Sequence, residues 1–337
     1  MPRLEKAPPA NATLSRRGVL TTGAALALAG CGASEPLTAS RTPRLDMGRL
    51  NDQTARLAEE IRPAVLGMGL MNLESGEHFS FGGDQRFPLA GAFALPLAAA
   101  VLAETEAGRL SLDEQLVLDE QQLSPPPSAI AQAWPGRRDY TAAELLRAAT
   151  SGDSTAADVL MKRVGGPGAV TAWLDGKRVR GVRVDRYARQ VLVERHGLPS
   201  FRPEWRTEGV FAQAIAMQPQ EARLAAMRRY MTDPRDTATP QGMLEFLSLL
   251  AAGQLIPRPA ARNLFRTISR ERGRARIVSA ARSDLGLTPA MADVGVFALP
   301  VRRAYALAIF VAGSDLDGPG RARLLGELTQ LARSSLG

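Results

Sequence analysis

Few residues in this 337-residue chain could carry covalent chemistry. It has one cysteine, Cys31, two histidines, His78 and His196, and three lysines, Lys6, Lys162 and Lys177. Hydroxyls and a carboxylate cluster at Ser151-Gly152-Asp153-Ser154-Thr155, just ahead of Ala156-Ala157. A serine becomes a nucleophile only with a base in hydrogen-bond reach and donors for the developing oxyanion. Ser151 or Ser154 offers a hydroxyl there, while at a helix start Ser151 or Asp153 is also explained as an N-cap. His78 reads as an exposed strand residue and His196 as a solvated loop residue, neither with an evident partner. No metal-ligand cluster and no phosphate-binding glycine loop is evident, and Gly165-Gly166-Pro167-Gly168 reads as a turn. Neither a metal nor a cofactor is therefore expected.

The elements that must position these residues follow from periodicity. Apolar residues recur at helical spacing over 50–62, and strands are predicted at 65–72 and 78–81, joined by Glu74-Ser75-Gly76-Glu77. A polar loop then leads through Phe87-Pro88-Leu89-Ala90-Gly91-Ala92-Phe93-Ala94-Leu95 into a buried, alanine-rich helix. Proline suits the first position of a helix and disfavours helical geometry at the residue before it. The core helix is thus predicted from Pro96 to about 108, with 91–95 outside it. Residues 140–150 form a helix capped by Thr141, with Glu144 completing a capping box. Further helices are predicted at 219–231, 242–255, 259–270 and 321–334, and buried strands at 294–299 and 304–312.

Composition bounds the setting. The net charge is +8, and the first thirty residues hold Arg3, Lys6, Arg16 and Arg17 against Glu5, leaving a mild excess of arginine elsewhere. No basic cluster is interleaved with aromatics, so no nucleic-acid partner is expected. Ser15-Arg16-Arg17 precedes an apolar run at 18–30 that is too short for a permanent membrane span. Leu28-Ala29-Gly30-Cys31 resembles a bacterial lipobox, whose cysteine becomes the lipidated first residue. Residues 1–30 are therefore expected to be a twin-arginine lipoprotein signal and 31–48 a tether. The mature chain would sit on the periplasmic side of the cell envelope, held to the membrane by its lipid. A single cysteine excludes disulfides within the chain.

Five segments in this order resemble class A β-lactamases and related penicillin-recognising serine enzymes. In those enzymes Phe-Pro is followed by Ser-x-x-Lys at the start of a core helix; the matching positions here are Gly91 and Ala94. Aligned on Thr155-Ala156-Ala157, the motif Ser-Asp-Asn-Thr-Ala-Ala-Asn falls on Gly152, Asp153 and Ser154, and its serine passes a proton to the leaving nitrogen. Arg183-Val184-Asp185-Arg186-Tyr187-Ala188 resembles Arg-Leu-Asp-Arg-Trp-Glu, which opens the omega loop and ends in the glutamate that activates the deacylating water. Ala188 stands in that place. The resemblance also implies that Arg186 and Asp236 pair across the neck of the loop, here lengthened by an insertion over 187–235 with Trp205, Phe211 and Tyr230 as apolar anchors. The family's Lys-Thr-Gly strand, which holds the substrate carboxylate, has no counterpart lysine, since none follows Lys177. Leu287-Thr288-Pro289 is taken as its position.

The resemblance implies an α/β (α+β) fold of the β-lactamase/transpeptidase type, an antiparallel sheet flanked by terminal helices with an all-helical subdomain. The domain would span 49–337, with the α/β part at 49–90 and 263–337 and the helical part at 91–262. With Gly91, Ala94, Gly152 and Ala188 at the four working positions, the expected function is that of a non-hydrolytic pseudoenzyme. Its partners would be a peptidoglycan fragment, a β-lactam-like ligand or an envelope protein, met through the insertion. The alternative is a serine hydrolase with a displaced nucleophile, Ser151 or Ser154.

Overall fold

The structure is a computed structural model that describes residues 44–268, 274–281, 288–298 and 303–336. The export signal, Cys31 and most of the expected tether lie outside the described residues. The chain opens with α1 (Met47–Glu60), the hairpin β1 (Val65–Asn72) and β2 (His78–Phe81), β3 (Phe87–Pro88) and α2 (Ala94–Glu106). A helical part follows, with β4 (Gln115–Val117), α3 (Ala129–Ala133), β5 (Asp139–Thr141), α4 (Ala142–Thr150), α5 (Ser154–Arg163) and α6 (Pro167–Gly176). The insertion holds α7 (Ala188–Glu194), α8 (Glu208–Ala216) and α9 (Gln220–Thr232), and β6 (Thr237–Ala238) then pairs with β3. The chain ends with α10 (Pro240–Ala252), α11 (Arg258–Ile268), β7 (Arg274–Ala281), β8 (Thr288–Ala298), β9 (Ala304–Ser314) and α12 (Gly318–Ser334).

The central sheet runs β2-β1-β9-β8-β7, antiparallel throughout. Its two faces follow from the period of two along each strand. On β1, Leu66, Met68 and Leu70 join Leu307, Ile309 and Val311 of β9 in a core shared with α1 and α12. The alternate residues face the helical part, where Ala306, Ala308 and Phe310 join the larger core. Gly67 is required on that face: a Cβ there would lie 2.4 Å from the Phe87 ring and 2.9 Å from Pro240. Helix α2 is buried on all sides from Ala94 to Leu102, as expected of a helix apolar all round its axis, and it contacts α4, α5, α6 and α11. The Thr141–Glu144 capping box is present, each side chain accepting from the other residue's backbone N–H at 3.1 and 2.9 Å.

Two expectations need correction. Helix α2 begins before Pro96, because the 3-10 turn Ala90–Phe93 runs straight into it at Ala94 and Leu95 is helical. Proline is tolerated there because the first-turn N–H groups lack intrahelical acceptors anyway. The backbone around residue 91 is therefore a helix entry after all. The tether is shorter than expected: Leu45 is buried and bridged to Leu336, and Asp46 caps α1. Thr288-Pro289 opens β8, next to the edge strand β7, and Leu287 lies outside the described residues.

Candidate functional site

A cavity of about 400 Å³ opens where the starts of α2 and α5 meet the insertion. Gly91, Ala94, Gly152 and Ala188 all line it, so the four aligned positions converge on one space. Gly91 lies in the turn that enters α2, after Ala90 at φ 46°, a strained setting for a residue with a Cβ. Ala188 is the first residue of α7 and is buried. Gly152 links α4 to α5 at φ 98°, a conformation that favours glycine. None of these side chains can exchange a proton.

The polar residues around them are committed to structure. Ser151 is the exposed C-cap of α4 and does not line the cavity. Asp153 is the N-cap of α5. Its carboxylate accepts from Ala156 N–H at 2.9 Å, Ile130 N–H at 3.0 Å and the Ser128 hydroxyl at 2.9 Å. Ser154 lines the cavity, but its hydroxyl donates to the backbone carbonyls of Pro125 at 2.5 Å and Pro127 at 3.0 Å. A hydroxyl held by carbonyls has no base to activate it. Lys162 and Lys177 are exposed and lie outside the cavity lining.

Arg186 and Asp236 meet at the neck of the insertion, both buried, with Nε donating to Oδ2 at 2.6 Å. Asp236 also accepts the backbone N–H groups of Asp185 and Arg186, at 2.7 and 3.0 Å. Nη1 of Arg186 reaches Glu194 at 2.6 Å and Asp233 at 3.2 Å, while its buried Nη2 makes no hydrogen bond. A second anchor is Asp158, at the last position of the second motif. It accepts the N–H groups of Ala188 and Arg189 at 2.5 and 3.0 Å, and the Ser124 hydroxyl at 2.7 Å. A carboxylate at a helix start satisfies otherwise orphaned donors of α7. Burial nevertheless pushes its pKa up to about 6 against the pull of these donors.

The insertion folds around its own small core of Val193, Leu198, Trp205, Phe211 and Ile215. It is fastened to the helical part by Arg206, whose guanidinium lies 5.2 Å from the centre of the Trp134 ring. Five of its residues line the cavity, Ala188, Val191 and Leu192 with the polar Arg195 and Tyr230. Tyr230, expected among the apolar anchors, therefore serves the cavity, while Trp205 and Phe211 pack together. His196 is buried, contrary to expectation, edge-on to Phe211 with ring centres 5.9 Å apart. Burial beside Arg195 and Arg223 lowers its pKa to about 3, so the ring is neutral and its Nε2 accepts from Nε of Arg195 at 3.1 Å. Neither Arg195 nor Tyr230 was legible as a site residue, because the path of the insertion is fixed by tertiary packing. Their one sequence signal is a cation and a phenol in a segment added at a neck that joins both sides of the site. Among the described residues, no group of three or more His, Cys, Asp or Glu gathers as a metal site.

Comparison with known proteins agrees with this geometry. A family model described as "Beta-lactamase enzyme family" matches residues 49–336. The chain is 31% identical over 226 residues to Beta-lactamase L2 of Stenotrophomonas maltophilia, covering 66% of this chain and 59% of that protein. A β-lactamase of Kitasatospora aureofaciens is 30% identical over 196 residues, covering 55% and 60%. The aligned part thus spans at most about 60% of these relatives. A solved class A β-lactamase described as the last common ancestor of Gram-negative bacteria superposes with a TM-score of 0.65 at 26% identity, covering 86% of this chain and 99% of that one. A β-lactamase from Chitinophaga pinensis gives a TM-score of 0.66 at 21% identity, covering 84% and 97%, a likeness of fold.

Proposed function

The chain belongs to the beta-lactamase enzyme family, and from that premise we propose that it is a non-hydrolytic member acting by binding at the family's site. One observation carries this reading: the four positions at which a family enzyme would hold its nucleophile, its lysine, its proton-passing serine and its glutamate are Gly91, Ala94, Gly152 and Ala188, and all four line one cavity. An acyl transfer run there would lack both nucleophile and base. The loss extends to the backbone at Gly152, whose φ of 98° opposes a serine side chain. The ligand would be a peptidoglycan fragment, a β-lactam-like compound or an envelope protein reaching the insertion. The leader residues support export by the twin-arginine route and a lipid anchor on Cys31, on the periplasmic side of the envelope.

The test uses the full chain carrying Cys31→Ala, which should move from the membrane fraction to the soluble one. Intact-mass spectrometry after incubation with excess penicillin, beside a chromogenic cephalosporin assay, should show neither adduct nor turnover. An adduct or turnover abolished by Ser151→Ala or Ser154→Ala would replace this reading with hydrolysis by a displaced nucleophile.

A further inference from the structure

The charges in the cavity wall do not balance locally. Asp153 has its three donors, and Asp236 is answered by Arg186. Arg195 has no such answer. Its side chain is half-buried, and among the described residues its one side-chain hydrogen bond is from Nε to the neutral His196 and no carboxylate forms an ion pair with it. Desolvation accordingly lowers its pKa. An unpaired cation held away from water is costly, and a fold tolerates one where a bound anion completes it. Its position as the C-cap of α7 gives partial relief from the helix carbonyls. Beside it stands Tyr230, which burial keeps protonated and hence able to donate. The adjoining Arg186 adds a buried Nη2 with no acceptor. The wall is therefore short of acceptors on one side only.

Apart from Ser154, whose hydroxyl is held by backbone carbonyls, the rest of the lining is apolar, with Phe93, Ala94, Ala188, Val191 and Leu192 turned to the same space. At about 400 Å³ the cavity lies at the small end of ligand pockets.

We propose that this cavity binds a small amphipathic monocarboxylate, its carboxylate held by Arg195 and Tyr230 of the insertion and its apolar body seated over Ala94 and Ala188. A guanidinium fork matches a carboxylate in plane and spacing, and one uncompensated cation suits a single negative charge better than a phosphate dianion. The recognising cation comes from the insertion, apart from the sheet-edge strand β7. The proposal rests on the binding reading above and supplies its ligand class.

Isothermal titration of the full chain with Cys31→Ala tests it, using octanoate, the neutral octanamide and octyl phosphate as probes. Octanoate should bind saturably, with octanamide and octyl phosphate each at least tenfold weaker. Arg195→Gln should weaken octanoate at least tenfold and Arg195→Lys by less, while the ligand-free melting temperature of Arg195→Gln stays level or rises. A merely structural arginine would instead lower it. Ala94→Leu, which fills the cavity without touching charge, should also abolish binding. Equal binding of octanamide, unchanged binding in Arg195→Gln, or no binding of octanoate would each overturn the proposal. If octanoate fails while penicillin leaves the protein unmodified, this ligand class falls and the non-hydrolytic reading stands. Penicillin turnover would overturn that reading whatever octanoate does.

Discussion

The two walls of the cavity differ in kind. The wall made by the entries to α2 and α5 lies in the main core and presents Gly91, Ala94 and Gly152 to the space, with Asp153 and Ser154 held in structural hydrogen bonds. The wall made by the insertion rests on its own small core and presents Arg195 and Tyr230. The polar side chains of the first wall are taken up by structural hydrogen bonds, whereas the insertion turns a guanidinium and a phenol to the space. The difference teaches that a site can keep its shape while changing the side from which it is read. Fold and function are separable in this way because packing fixes the first and a few exposed side chains fix the second.

The sharpest way to break the comparison is at the neck that joins the walls. Arg186→Ala leaves Asp236 buried without its cation, and removing one member of a buried pair costs about 3–5 kcal/mol. Chemical denaturation should show a loss of that size, with the insertion losing hydrogen-exchange protection. A loss below about 1 kcal/mol, within the range of an exposed pair, would mean that the neck does not hold the insertion in place.

Two buried groups, Asp158 of α5 and His196 of the insertion, respond to pH in opposite directions. Asp158 titrates near 6 in the folded protein, above its ordinary value of 3.8. Between these values the folded state keeps a proton that the unfolded state has released, so stability falls as pH rises. His196 titrates near 3, below its ordinary 6.5. Over that range the unfolded state holds the extra proton, so stability rises with pH. Between about pH 4 and 6 the two contributions offset each other, each amounting to about 1.4 kcal/mol per pH unit. Against the parent protein, Asp158→Asn should gain a positive slope of stability with pH in this window, and His196→Gln a negative one. Parallel curves for both variants and the parent would remove the distinction between the two groups.

The motif positions were legible in the sequence because flanking residues pinned their register. Phe87-Pro88, Thr155-Ala156-Ala157 and Arg183 to Arg186 each lie within a few residues of an altered position, so Gly91, Ala94, Gly152 and Ala188 could be placed by counting. The strands at 65–72 and 78–81 and the capping box at Thr141 were equally local, and the structure contains them with those bounds. Pro96 misled because a helix start tolerates proline over its whole first turn, so the residue limits where the helix begins without fixing it. The edge strand β7 was missed because neighbours in a sheet are set by topology. His196 was misread for the same reason that Arg195 and Tyr230 were overlooked. Whether a residue of a long insertion faces water or a core depends on how α7, α8 and α9 pack, and local periodicity does not encode that.

The smallest effect tests whether the first wall has given up its chemistry in the backbone as well as in the side chains. At Gly152 a new Cβ would meet no atom within 4 Å, so crowding plays no part. Only the φ of 98° opposes a side chain there. Gly152→Ser, which restores the family's residue type, should therefore lower stability by about 1 kcal/mol, the cost of a left-handed backbone for a residue with a Cβ. A thermal melt reads this directly, as a fall of about 2 °C in melting temperature for a domain of this size. A neutral or stabilising outcome would mean that the turn relaxes to a conformation suited to serine. The first wall would then differ from a family enzyme in side chains alone.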